Sequence, residues 1–170
     1  MHDLKAHSKS GERLEVNVNG RNIFCSVLEL SFGVDRNILA LMDIFHKEDK
    51  DRVYFAFPPS LAPYQVVVLP LVKKDGLQEK TKKVYEMLKE EGIHVWYDEE
   101  YIGKAYYRQD EIGTVYCVTF DYDSVKDKSV TIRFRDNKKQ VRVKINKLPE
   151  ILKKLFSNKI EFEKAGKLIN

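Results

Sequence analysis

Apolar and polar residues alternate over ERLEVNV (12–18) and over NIFCSVLEL (22–30), the period-2 pattern of half-buried strands. Asn19-Gly20 between them suits a type I′ turn, so the two segments predict a hairpin whose second strand runs straight into SFG. From Asp35 the period changes, and Ile38, Leu39, Leu41, Met42 and Phe45 recur at helical spacing. That helix gives out into HKEDKDR (46–52), a charged stretch suited to an interdomain linker. Hairpin, glycine turn and helix are too small to bury a core of their own.

A second pattern begins at FAFPPSLAPY, where prolines 58, 59 and 63 forbid regular structure. QVVVLPL (65–71) is a continuous apolar run, as expected of a strand covered on both faces. Leu77, Thr81, Val84 and Leu88 mark one face of a helix that stops at Gly92, and IHVWYD (93–98) returns as a strand. This is a βαβ unit with a parallel pair. A polar loop and the segment DEIG lead to the strand TVYCVTF (114–120). SVTIRF (129–134) and VRVKI (141–145) flank the turn RDNKK as a hairpin, and a last helix starts near Lys147 or Leu148 with Pro149 in its first turn. The order predicts an α/β domain: a mixed five-stranded sheet flanked by helices, preceded by the hairpin and helix fragment.

Composition narrows this little. With 43% hydrophobic and 33% charged residues the chain is an ordinary globular mixture, and a net charge of +4 is compatible with a nucleic-acid partner without being diagnostic. Cys25 and Cys117 lie far apart among apolar residues, which predicts buried free thiols rather than a disulfide or a metal site. No apolar run is long enough for a membrane span and MHDLKAHSKS lacks a signal-peptide core, so a cytoplasmic protein is expected.

Two segments carry candidate chemistry. In SFGVDR (31–36), Gly33 would let a ligand approach the backbone, and Arg36 in the first helical turn can meet a phosphate or stack on a purine. Glu29 and Ser31, on alternate strand positions, share a face on which a carboxylate and a hydroxyl could hold a small ammonium group. In and beside IGKAYYRQDEIGTVYCVTFD (102–121), Lys104 and Arg108 lie with three tyrosines, Tyr101, Tyr106 and Tyr107, in one loop, a mixture of cations and rings suited to splayed single-stranded RNA. Asp110 and Glu111 are candidate acceptors for base amino groups, or charges at a helix N-terminus. Arg133 and Arg135, two apart on a strand, are expected to project from one sheet face. No metal-ligand spacing, Walker motif or GxGxxG is present, and no nucleophile stands out.

These segments, in order, resemble the C-terminal part of the class II, homodimeric glycyl-tRNA synthetases. HDLKAHSKSG (2–11) resembles YDLxxHxxxSG, and LELSFGVDR (28–36) resembles IEPSxGxDR, the class II motif 3. LAPYQVVVLPL (61–71) is similar to the opening of the anticodon-binding domain. The 102–121 segment resembles IGKRYRRxDEIGTPFCVTxD, and 129–145 resembles VTVRDRDTxxQxRxxI. The resemblance implies residues 1–52 as a remnant of a class II catalytic domain with its linker, and 53–170 as the anticodon-binding domain. It implies glycine binding by Glu29 and Ser31, and ATP contacts by Gly33, Val34, Asp35 and Arg36, with Arg36 the catalytic residue. Contacts to tRNA-Gly are implied for Lys104, Tyr107, Arg108, Arg133 and Arg135. Magnesium is expected to accompany ATP, held by no identified residue.

Three positions depart from the family pattern: Leu30 for proline, Ala105 for arginine and Phe134 for aspartate. No FRxE-like motif 2 string occurs in residues 1–28, so the chain is expected to be a C-terminal portion, inactive alone. The competing expectations are a freestanding RNA-binding module and a polymerase accessory subunit, both without catalysis.

Overall fold

The computed structural model describes residues 2–3, 11, 15–24 and 26–169, and divides into compact units at Leu41/Met42. In the first unit, β1 (His2–Asp3) pairs with β4 (Ser26–Val27), and β2 (Glu15–Val18) pairs with β3 (Arg21–Phe24). Asn19 and Gly20 have φ of 50° and 80°, the two positive values that a type I′ turn requires. Of the strand expected over 22–30, β3 reaches Phe24 and β4 takes up Ser26–Val27, while residues 28–33 have no regular structure. Cys25 lies outside the described residues. α1 (Val34–Phe45) follows with no fully buried residue: Ile38, Leu39 and Met42 are exposed, while Phe45 at its end is half-buried and meets the Phe57 ring at 5.5 Å.

The second unit opens with a correction. The charged stretch 46–52 is not a linker but half of a hairpin, β5 (His46–Asp49) paired with β6 (Arg52–Phe55). All four β5 side chains are exposed, so the strand carries no apolar alternation to announce it. After the proline segment come β7 (Val66–Pro70), α2 (Leu77–Glu90), β8 (Val95–Tyr97), α3 (Ile102–Ile112) and β9 (Tyr116–Phe120). Then follow α4 (Tyr122–Asp127), β10 (Ser129–Phe134), β11 (Gln140–Lys144), α5 (Leu148–Phe156) and β12 (Lys167–Ile169). The sheet runs β12-β11-β10-β9-β7-β8, with β7 parallel to β8 and β9 and the remaining pairs antiparallel. It therefore has six strands rather than five, because the exposed three-residue β12 adds an edge.

Pleating separates the two faces of this sheet. Val66, Val68, Tyr116, Val118, Val130 and Ile132 point to the face that meets the buried stripes of α2 (Leu77, Thr81, Val84, Leu88) and α5 (Leu148, Leu152, Leu155). Val67, Leu69 and Cys117 point the other way, against Ala105 and Tyr106 of α3. Cys117 is a buried free thiol, and burial pushes its pKa up to about 12.

Gly113 closes α3 with φ of 90°, and a Cβ there would lie 2.5 Å from a Phe57 ring carbon and 3.1 Å from the Phe55 carbonyl oxygen. Gly113→Ala therefore combines left-handed strain with overpacking. It should cost roughly 2–3 kcal/mol, read as a lower urea midpoint at unchanged m.

Candidate nucleic-acid interface

The segment 101–111, expected as a loop, is helix α3, and its polar composition has a structural cause. Its inward face carries Gln109 and Asp110 beside Ala105, so the usual contrast between an apolar and a polar stripe is weak. Each buried polar group is satisfied. Gln109 accepts from Thr114 Oγ1 at 2.6 Å and donates to Asp98 at 3.2 Å. The Asp110 carboxylate accepts both Nη groups of Arg133 at 2.8 Å each, and Nη1 of Arg52 at 2.5 Å.

Asp110 is thus the centre of an ion network joining β6, α3 and β10. Arg52 also donates to Asp49 at 3.0 Å and lies 4.1 Å from the centre of the Tyr54 ring, while Arg133 lies 4.8 Å from that of Tyr106. Tyr106 shares a 2.8 Å hydrogen bond with Thr119, and burial raises its phenol pKa to about 12. Asp110 is neither free for a base nor at the start of a helix: it sits in the last turn of α3.

Arg133 and Arg135, expected to project from a solvent-facing sheet surface, are 6% and 2% exposed. Arg135 donates to the carbonyls of Phe57 (2.9 Å) and Gly113 (2.8 Å) and to Asp136 (2.7 Å). Both guanidiniums are engaged inside the fold, because β10 is covered there by α3 and the proline segment. Phe134, on the opposite side of the strand, stacks on Tyr116 at 5.3 Å.

The outward face of α3 is different. Lys104, Tyr107, Arg108 and Glu111 are exposed at helical spacing, with Tyr101 71% exposed at the N-cap. Arg108 donates to Asp98 and its Nη1 lies 3.8 Å from Glu100. Lys104 makes no ion pair among the described residues, so the strip presents one unengaged cation, one oriented guanidinium and two rings open for stacking.

Burial opposes ionisation of Asp98, but the Arg108 hydrogen bond, the Glu100 amide and Gln109 outweigh it and hold its pKa below the usual carboxylate value. The same balance, with Arg142 as partner, lowers Asp121. A depressed folded pKa contributes stability that is complete above the unfolded value near ~3.9 and is lost as pH falls through the folded one. Stability should accordingly begin to fall below about pH 5. Asp98→Asn should show a lower plateau and a shallower acid slope in urea titrations across that window.

In the first unit Ser31 Oγ donates to Glu29 Oε1 at 2.8 Å, so the two side chains do share a side, and both are exposed. Gly33 holds the start of α1, its carbonyl accepting from the Asn37 amide (3.1 Å) and side chain (2.9 Å). Val34, Asp35 and Arg36 occupy the exposed first turn, and Arg36 makes no ion pair among the described residues. A Cβ on Gly33 would meet nothing nearer than Arg36 Cβ at 3.8 Å. No group of three or more acidic, His or Cys side chains able to hold a metal occurs among the described residues. No described helix is long and apolar enough to cross a membrane.

Glycine–tRNA ligase of Pyrococcus furiosus is 44% identical over 156 residues, 91% of this chain and 28% of its own length. That of Methanocaldococcus jannaschii is 42% identical over 137 residues (80% and 24%), and that of Borrelia hermsii 44% over 136 (77% and 31%). The chain thus spans about a quarter of the curated relatives it matches. In fold it is similar to two crystal structures of prolyl-tRNA synthetase from Cryptosporidium parvum, with TM-scores of 0.57 and 0.55 at 23% and 24% identity. These cover 61% and 62% of this chain, and 23% and 24% of those chains. The model of the anticodon binding domain matches residues 65–155, from the first parallel strand into α5 and through the whole of α3, and the chain belongs to that family.

Proposed function

We propose that this chain is the C-terminal part of a glycine–tRNA ligase, working in the cytoplasm as a homodimer when complete. The part ahead of the β5–β6 hairpin would be the end of the catalytic domain and the part from that hairpin on the anticodon-binding domain, since a boundary at 52/53 would divide the hairpin. One observation carries the reading. An alignment covering 91% of a 170-residue chain necessarily takes in both residues 29–36 and residues 102–121.

In the complete enzyme a glycine carboxylate oxygen would attack the α-phosphorus of ATP, releasing pyrophosphate, and the tRNA terminal hydroxyl would then take the glycyl group, releasing AMP. The Glu29 carboxylate, with one oxygen occupied by Ser31, keeps an acceptor for the glycine ammonium. Arg36, at the start of α1 and without an ion pair among the described residues, is suited to ATP phosphate, with Gly33, Val34 and Asp35 beside it. Magnesium would arrive with the nucleotide. Positioning and charge stabilisation would supply the rate, since the reading assigns no general base among these residues.

On α3, Lys104 would meet phosphate while Tyr107 stacks on a base of tRNA-Gly, with Arg108 held ready by Asp98. Tyr107→Ala should weaken binding of a glycine-anticodon stem-loop by about 1–3 kcal/mol. Lys104→Ala should reduce the salt dependence of binding by about one phosphate contact. Fluorescence anisotropy against a scrambled anticodon reads both. Unchanged affinity in both variants, or no preference over the scrambled loop, rejects this interface.

A further inference from the structure

On the sheet face opposite α3, a groove of about 460 Å³ lies between α2 and α4. Val84 and Phe120, each 4% exposed, form its floor and Val125 one wall. Lys80 and Lys83, one turn apart on α2, and Lys128 at the end of α4 stand at its rim. Neighbouring lysines are neutralised: Lys82 lies 3.4 Å from Glu99 and Lys126 3.8 Å from Asp123. The three rim lysines have no carboxylate within ion-pair distance among the described residues, and none lines the groove.

We propose that this groove binds a small anionic amphiphile, an apolar body headed by a carboxylate. An apolar cleft with a few convergent polar groups at its edge, of roughly 300–1,000 Å³, is what small ligands occupy. The groove falls within that range, and its uncompensated positive rim selects the sign of the head group. Size decides against a protein partner, because a stable protein interface needs on the order of 800 Å² on each side, far more than one cleft flanked by two short helix faces offers. The apolar floor is bought at no cost to the fold, since Val84 and Phe120 already belong to the core beneath α2. The site lies on the other side of the sheet from the α3 strip and does not rest on the ligase reading.

Sodium dodecanoate is the probe, followed by methyl NMR of labelled methionine. Met87 lines the groove, whereas Met42 lies on the exposed apolar face of α1. Dodecanoate should shift the Met87 methyl at a lower concentration than that at which it moves Met42. Dodecanol and dodecyltrimethylammonium should bind at least about tenfold more weakly, as expected when one charge-assisted contact is lost or reversed. Lys83→Glu/Lys128→Glu should weaken dodecanoate by about tenfold or more while leaving the thermal midpoint and stem-loop affinity unchanged, since both lysines are exposed and off the α3 face. No Met87 shift up to about 1 mM dodecanoate, equal affinity for the three head groups, or indifference to the double charge reversal each overturns the proposal. So does a chain that ignores dodecanoate yet binds phosphatidylglycerol vesicles or an acidic amphipathic peptide through Lys83 and Lys128.

Discussion

Asp110→Ala should lower the stability of the chain by about 3–5 kcal/mol, a large share of what a domain of this size has to lose. The loss is not the worth of the ion pairs themselves. It arises because the buried Arg133 guanidinium would be left without a counter-charge and the buried Arg52 with only the partly exposed Asp49. That origin can be isolated. Adding Arg133→Met to Asp110→Ala removes one orphaned charge and keeps an apolar stem against Tyr106, so the double variant should be more stable than the single one. Urea denaturation of the two proteins side by side checks the sign, and a double variant that is weaker still would show that the network's own attraction dominates.

Arg36→Ala, placed in a complete ligase bearing this chain, should slow glycine-dependent ATP–pyrophosphate exchange by about 10²–10³-fold, the loss typical of one charged donor at a reacting oxyanion. Affinity for tRNA-Gly should be unchanged, because Arg36 is remote in sequence from α3 and belongs to the other compact unit. Folding is not at stake, since the side chain is exposed and makes no ion pair among the described residues. Normal exchange kinetics would leave Arg36 as an ordinary surface residue in a helical first turn. Glu29→Ala is the useful companion: it should raise KM for glycine while leaving that for ATP unchanged, separating the amino-acid role from the nucleotide role.

The central βαβ unit is legible because its signals are strong and local. Leu77, Thr81, Val84 and Leu88 mark the buried stripe of α2, and Gly92, with φ of 75°, marks its end. The exposed strands β5 and β12 carry no apolar alternation to show them, and the rest of what the sequence conceals has one cause: polar residues that fold inward. Gln109 and Asp110 are 1% exposed, so α3 lacks a clean apolar stripe. Arg52, the first residue of β6, is 7% exposed yet ends the charged run 46–52, so nothing in that run marks it as an inward-facing residue. Arg133 and Arg135 follow the strand period that would put them on a surface, but α3 and the proline segment cover that surface. A charge-pattern argument cannot separate a solvated arginine from one that meets a carboxylate 23 or 58 residues away, as Arg133 and Arg52 do. The short α4 did carry a signal, since Asp121 and Ser124 form a reciprocal capping box.

The same separations bear on how fast the molecule comes apart. Arg52, Asp110 and Arg133 sit on a hairpin, a helix and a strand, and their bonds close chain segments of 58 and 23 residues. Closing segments of that length costs entropy before the contact returns anything, so the network should be absent from the transition state and complete only near the end of folding. An interaction made that late governs the exit from the native state rather than the entry. Asp110→Ala should therefore steepen loss of the fold through the unfolding rate, with refolding nearly as fast as in the parent, and a stopped-flow chevron separates the two. The buried carboxylate is then a latch on the lifetime of the folded chain, and α3 keeps its outward face for as long as that latch stays shut.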